Sequence, residues 1–504
     1  MTAVQERAEA GVRSFDRLFI GGRWVPPATD EKIEVVSPIT EEVVATVPAA
    51  SPADMDAAVA AARKAFDEGP WPRMTPAERA AVLRRVGEEV ARRIPEMEAS
   101  FTAEIGAPGM ISKAFHANAS AMWDDAATLA STLQLEEERT LPDGGTARIV
   151  REPVGVAAVI IPWNGPVATA SLKIAPALAA GCTVVLKPAP EGPVSVMVLA
   201  EALEAAGLPE GVVSILPGGR EVGEYLVKHP DVDKVSFTGS TAAGRRIMAL
   251  CAERIARITL ELGGKSAAIV LPDADVASVA QTVTFSGIGS SGQVCAALTR
   301  LVVPRDKQDE VVENVKAIME SVKVGDPREE DTVLGPLAAE RQRDRVEGYI
   351  RTGIEEGARL VTGGGRPEGL ERGYYVQPTL FADVDNSMRI AQEEIFGPVI
   401  SVIPYDTVED AVRIANDSPY GLSGAVFTAD PELGESVARR VRTGQIYVND
   451  WGMCVTQPFG GYKQSGLGRE GGPEGIGGFL ETKLIQGIGA RPTSEPDAET
   501  PPAP

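Results

Sequence analysis

The chain has 504 residues, 44% hydrophobic and 24% charged, with a formal net charge of −22. That length exceeds one ordinary core and implies two or three domains, and the composition is that of a soluble globular protein. So acidic a chain is poorly matched to nucleic acid or to an anionic membrane, both negative, and neither is expected as a partner. No uninterrupted apolar run approaches the roughly 20 residues that span a bilayer, and residues 1–15 lack the apolar core of a signal peptide. Cys182, Cys251, Cys295 and Cys454 form no CxxC, and the histidines are only His116 and His229. A disulfide framework, a metal site and a Ser-His-Asp triad are therefore disfavoured, and a reducing cytoplasm is the expected compartment. His229 is placed at a surface helix end and His116 in a polar, alanine-rich helix, both in solvated or capping roles.

In chain order, residues 1–18 read as a flexible arm and 19–25 as a strand–turn–strand start. Apolar positions at helical spacing mark helices over 54–66 and 76–93, the second opened by Thr75-Pro76, and a further helical stretch over 94–133. Asp143-Gly144-Gly145 signals a hairpin turn. The period then changes. β-Branched, apolar strands over 154–161, 183–187, 212–216 and 234–238 alternate with helices over 166–180, 193–206, 222–229 and 242–254. That alternation implies a parallel sheet covered on both faces, which binds ligands at the carboxyl ends of its strands. Those ends carry Pro162-Trp163-Asn164-Gly165, Lys187-Pro188-Ala189-Pro190, Pro217-Gly218-Gly219 and Thr238-Gly239-Ser240. A second α/β pattern covers about 266–448, with strands near 301–303, 399–404 and 425–428. A glycine-rich loop over 460–468 leads to a last strand near 478–486, and the proline-rich 490–504 reads as a disordered tail.

Two glycine motifs compete for a nucleotide. Gly287-Ile288-Gly289-Ser290-Ser291-Gly292 matches GxGxxG but follows a helical stretch, so it reads as a close-packed turn delivering Cys295. Phe237-Thr238-Gly239-Ser240-Thr241-Ala242-Ala243-Gly244 follows a strand and opens a helix, where N–H groups and the helix dipole face a phosphate. Cys182 and Cys251 read as small buried hydrophobes. Cys295, after Gly292-Gln293 and before what reads as an alanine-rich helix start, is placed as a nucleophile whose thiol that helix would acidify. Glu261 ends the run Ile258-Thr259-Leu260 and precedes two glycines, a position suited to a general base.

Together these stretches resemble the aldehyde dehydrogenase superfamily over about 19–488. The resemblance rests on Pro162-Trp163-Asn164, Leu186-Lys187-Pro188, Phe237-Thr238-Gly239-Ser240, Glu261-Leu262-Gly263-Gly264-Lys265, Gly292-Gln293-Val294-Cys295, Glu393-Glu394-Ile395-Phe396-Gly397-Pro398 and Pro458-Phe459-Gly460-Gly461-Tyr462-Lys463-Gln464-Ser465-Gly466. It implies an α/β fold with a Rossmann-like parallel-sheet cofactor domain (19–125 and 149–257) and an α/β catalytic domain (258–460). A small β oligomerisation arm (126–148 and 475–489) would be built from a hairpin around 126–150 and the last strand. Cys295 would attack the aldehyde, Asn164 and the Cys295 N–H would hold the oxyanion, Glu261 would activate the hydrolytic water, and Lys173 joins them as a catalytic candidate. NAD, with NADP possible, would lie against Ile161, Pro162, Trp163, Lys187, Pro190, Gly219, Gly223, Phe237, Thr238, Gly239, Ser240, Leu262, Gly263, Glu394 and Phe396. Gly165, Ala168, Thr169, Leu172, Val294, Trp451, Met453 and Phe459 would line the substrate pocket. No metal is expected, and the assembly implied is a homo-oligomer, dimer or tetramer.

Many NAD-preferring members place Glu three residues after the cofactor lysine, where this chain has Pro190 and then Glu191. The lean to NAD rests on the lack of an added Arg or Lys within 188–193. Two other readings stand beside the aldehyde-oxidising one: a CoA-dependent acylating enzyme, against which Glu261 counts, and a catalytically silent structural relative, against which Cys295 counts. Gly165, Ala168, Thr169 and Leu172 share one small-residue helix face, which predicts room for apolar, moderately bulky aldehydes unless Trp451 and Met453 fill it.

Overall fold

The computed structural model describes residues 12–487 apart from Asp143, Met453 and Val455, so the expectations for 1–11, Met453 and 490–504 lie outside the described residues. Residues 12–18 are anchored, contrary to the predicted loose arm. Val12 is buried, Arg13 pairs with Glu96 (2.6 Å) and Glu201, and Phe15 stacks on Trp24 (centroids 5.7 Å apart).

The first sheet is built on five parallel strands in the order Arg257–Glu261, Lys234–Thr238, Val156–Ile160, Thr183–Lys187 and Val213–Ile215. Every residue of Val156–Ile160 and Thr183–Lys187 is buried, as runs of Val, Ile, Leu and Ala require when helices cover both faces. Antiparallel strands finish both edges: Leu18–Ile20 with Arg23–Val25 at one, and Gly466–Leu467 beside Arg257–Glu261 at the other. Residues 258–261, predicted to begin the second domain, therefore belong to the first sheet. The second sheet orders Arg359–Thr362, Thr379–Ala382, Val399–Tyr405, Leu298–Pro304, Ser266–Val270, Gly424–Phe427 and Tyr447–Val448, all parallel except the first.

The helix predicted to end at 93 runs on through Pro76–Ile105. It starts in a capping box, with the Thr75 hydroxyl accepting from Glu78 N–H and the Glu78 carboxylate accepting from Thr75 N–H. It stops at Gly106 (φ 81°), where a Cβ would lie 2.6 Å from Pro336 Cγ. Pro95 is accommodated inside it. The next helix, Gly109–Thr132, keeps residues 126–132 helical, as the apolar spacing over 94–133 predicts and contrary to the hairpin that the resemblance places around 126–150. The hairpin itself pairs Glu136–Thr140 with Thr146–Pro153, and Leu480–Gln486 adds a third antiparallel strand. His116 is buried rather than solvated, with Nδ1 2.8 Å from the Ser112 carbonyl and its ring edge-on to Phe101. Among the described residues no helix is long and apolar enough to cross a membrane.

Candidate active site

The glycines of the singled-out motifs are explained by what packs on them. A Cβ on Gly264 would sit 2.5 Å from the Cys295 carbonyl oxygen, one on Gly263 2.5 Å from the Glu394 carboxylate, and one on Gly460 2.6 Å from Glu261 Oε1. Gly292 (φ 73°) leaves 2.1 Å to the Gly397 carbonyl carbon. Backbones must approach this closely for four separate sequence stretches to meet, and only glycine permits it.

Where they meet lies a cavity of about 70 Å³ with Cys295 in its lining. Gly165, Ala168, Thr169, Leu172, Val294 and Phe459, grouped by the sequence, line it together with Asn164, Thr238 and Glu470, whereas Glu261 is not in the lining. A neighbouring helix adds Phe115, Asn118 and Met122, which the sequence reading missed. Phe115 fills the space that Gly165 leaves open: a Cβ on Gly165 would lie 2.7 and 2.9 Å from two Phe115 ring atoms. Trp451 is not in the lining. It packs behind the site against the Ala296 cluster, its Nε1 donating to the Ala296 carbonyl at 3.2 Å. Asn164 Nδ2 donates to the Gln293 carbonyl at 2.8 Å, and Gln293 Oε1 in turn accepts from Ala338 N–H, so the amide is fixed in orientation beside the Cys295 turn.

Cys295 does not open a helix. Residues 295–296 form a turn leading into the strand Leu298–Pro304, so no helix dipole acidifies the thiol as predicted. Burial, then the nearby Glu394 and Glu261 carboxylates, push it up to about 12, against a smaller pull from the N–H groups of Ala296 and Cys295. At neutral pH the resting thiol is protonated and needs a base.

Glu261 ends the strand Arg257–Glu261 and is buried, with neither carboxylate oxygen hydrogen-bonded. Burial, then the neighbouring Glu470, hold its carboxyl well above the usual carboxylate range, while Lys173 and Arg469 pull it down. Lys173 is wholly buried and does not line the cavity. It donates to Ser236 Oγ (3.1 Å) and forms an ion pair with Glu470, which reaches the cavity wall. Glu470 is a second missed residue. A lysine in so apolar a helix as Pro166–Ala180 demands a buried carboxylate, and that demand was the available signal.

On the far side of Thr238 a cleft of about 480 Å³ opens along the carboxyl ends of the first sheet. Ile161, Pro162, Lys187, Gly219, Gly223, Phe237, Thr238, Gly239 and Ser240 line it, so the sequence-predicted phosphate loop and lysine come together. Ser240 caps the helix Thr241–Ala252, accepting from Ala243 N–H at 3.3 Å. The Thr238 hydroxyl is buried without a partner at the junction of cleft and cavity, the helix N-terminus is free to meet an anion, and the residues present fit a dinucleotide. Lys187 Nζ donates to the carbonyls of Pro188 (2.9 Å) and Gly218 (2.6 Å), and burial lowers it to about 8. Pro190 is absent from this lining, and so are Trp163, Leu262, Gly263, Glu394 and Phe396. Trp163 meets Phe396 edge-on at 5.6 Å, Leu262 packs on Gly244, and Glu394 Oε1 accepts from Gly264 N–H at 2.9 Å. Phe396 holds φ 64°, and Gln342 Nε2 donates to its carbonyl at 2.7 Å.

The family model described as "Aldehyde dehydrogenase family" matches residues 24–485. A geranial dehydrogenase of Castellaniella defragrans is 46% identical, over 94% of this chain and 98% of its own. The crystal structure of a Mycobacterium tuberculosis aldehyde dehydrogenase complexed with NAD+ aligns with TM-score 0.92 at 50% identity, covering 94% of this chain and 98% of that one. A Pseudomonas syringae aldehyde dehydrogenase mutant, complexed with NAD+ and octanal, aligns with TM-score 0.90 at 44% identity, covering 93% and 96%.

Proposed function

The chain belongs to the aldehyde dehydrogenase family, and we propose that Cys295, Asn164 and Glu261 perform its reaction, the oxidation of an aldehyde to the carboxylic acid with NAD. The observation that carries this assignment is a thiol and an oriented amide in the lining of one apolar cavity, with the unpartnered buried Glu261 carboxyl behind that lining and close enough to act on the Cys295 thiol. The Cys295 thiol gives its proton to solvent water as the sulfur bonds to the carbonyl carbon, and the carbonyl electron pair moves to oxygen. Asn164 Nδ2 and the Cys295 N–H stabilise that oxyanion in a thiohemiacetal. NAD, when bound, supplies the acceptor for the hydride lost from this carbon, leaving a thioester on Cys295. Glu261 takes a proton from water, which adds to the thioester and expels the Cys295 sulfur with the acid as product. Glu261 in the base role favours hydrolysis over transfer to coenzyme A.

Lys187, Gly219, Gly223 and the Phe237–Ser240 loop would hold the adenosine and phosphates, and Glu394 and Phe396 the nicotinamide half. The relative named for geranial and the neighbour holding octanal both support apolar aldehydes as substrates, and the lining by Phe115, Met122, Leu172, Val294 and Phe459 agrees. Oligomerisation through the three-stranded sheet is supported by the exposed Leu484 and Ile485 on its edge strand, and a reducing compartment suits a free reactive thiol. In Cys295→Ala, NADH production from an apolar aldehyde without coenzyme A is abolished while nucleotide binding, followed by calorimetry, remains. Dehydrogenase turnover above a trace in this variant contradicts the assignment.

A further inference from the structure

The rim of the nucleotide cleft around Lys187 carries more positive charge than its local sequence provides. Four cations line the cleft, Lys187, Arg220, Arg246 and Arg341, against one carboxylate, Glu224. Glu224 is already committed to Arg220 (3.3 Å) and Arg246 (3.0 Å). The acid following Pro190, Glu191, is not part of the lining. It forms an ion pair with Arg341 while still acting on the Lys187 charge. Arg341 lies 150 residues further along, in the first turn of the helix Glu340–Glu355, which packs on the second sheet. A cation missing from 188–193 is thus delivered across the cleft from the other half of the molecule.

We propose that Arg341 is a specificity-determining residue of this cleft and that it admits a dinucleotide phosphorylated on the adenine-side ribose, so that NADP is used as well as NAD. The inference rests on the reading that Lys187 and the Phe237–Ser240 loop hold the adenosine half. An unphosphorylated ribose is best met by a carboxylate that accepts from both hydroxyls, whereas a 2′-phosphate needs a nearby arginine. Here the side chain facing the cleft is the arginine, and the carboxylate is turned away to it. The Arg341 side chain is 62% exposed and that of Glu191 22%, so the pair between them is weak. A phosphate of charge about −2 competes for the guanidinium fork, and Glu191 can return to water.

The test uses the full chain and two readouts. In steady state the wild type turns over both NADP and NAD, and Arg341→Ala lowers the ratio of kcat/KM for NADP over NAD by about tenfold or more, with Arg341→Lys between the two. In calorimetric titrations without turnover, wild type binds adenosine 2′,5′-bisphosphate about tenfold more tightly than 5′-AMP, and Arg341→Ala loses that preference. The wild-type titration stands even where a variant fails to fold. An unchanged ratio in Arg341→Ala, or no preference for the bisphosphate in wild type while NAD turnover is intact, overturns the inference. Failure of wild type to bind either nucleotide or to use NAD would instead remove the cleft assignment, and the inference with it.

Discussion

At the residue scale the site is an arrangement of charges in a dry place. Burial raises the proton affinity of Cys295 and Glu261 alike, and at Glu261 the neighbouring Glu470 adds to that rise while Lys173 and Arg469 oppose it. A carboxyl whose proton is held above the usual range works as a base only once pH rises through its raised value, so turnover limited by hydrolysis climbs with pH there. Glu470→Gln removes the negative neighbour and leaves the Lys173 cation facing Glu261, and both changes lower the Glu261 proton affinity. The acidic limb of the kcat–pH profile is expected to move to lower pH, measured with one saturating apolar aldehyde. A limb that stays in place, or moves up, would show that Glu470 does not act on the base. Cys295, Glu261 and Asn164 were legible because each stands in a motif whose glycines have a steric reason. Glu470 was not, since its partner Lys173 is 297 residues away in sequence and no local pattern joins them.

At the element scale, Ala168, Thr169 and Leu172 of the helix Pro166–Ala180 line the cavity together with its N-cap Gly165. Room on one helix face is room only when nothing opposite fills it. The helix Gly109–Thr132 presents Phe115, Asn118 and Met122 at i, i+3, i+7 spacing to the same cavity, and Phe115 stands against Gly165. A pairing of faces on two helices leaves no periodic signature in either one. Residues 126–132 continue that helix because their alanines pack into the core, in keeping with the helical spacing over 94–133. Gly165→Ala places a methyl group within 2.9 Å of the Phe115 ring and displaces it into the cavity. The substitution is expected to cut kcat/KM for an octanal-sized aldehyde by about tenfold, the order of a lost pocket methylene or two, and to affect acetaldehyde far less. Adding Phe115→Ala should restore the long substrate. Equal losses for both aldehydes, unrelieved in the double variant, would place Phe115 outside the substrate path.

At the scale of the whole molecule, the cavity takes lining residues from both halves of the chain, and the cleft takes Arg341 from the second half. In the first sheet Val156–Ile160, Thr183–Lys187, Val213–Ile215 and Lys234–Thr238 are legible, because these buried runs are β-branched and separated by clean helices. The second was read only in part: Ser266–Val270 opens with Ser-Ala-Ala, and Thr379–Ala382 is four residues long, too little for a period to show. Residues 258–261 are predicted in the wrong half because this strand of one sheet runs straight into the first strand of the next, with only residues 262–265 between them. That short connection puts Glu261 on one sheet within electrostatic reach of Cys295, which is carried by the loop before Leu298–Pro304 on the other. The central claim is that these two residues divide the chemistry, Cys295 forming the acyl-enzyme and Glu261 releasing it. Rapid mixing of Glu261→Gln with aldehyde and NAD measures this most directly. The account requires a fast burst of about one NADH per active site followed by a stall; a first turnover as slow as the later ones, with no burst, would contradict it.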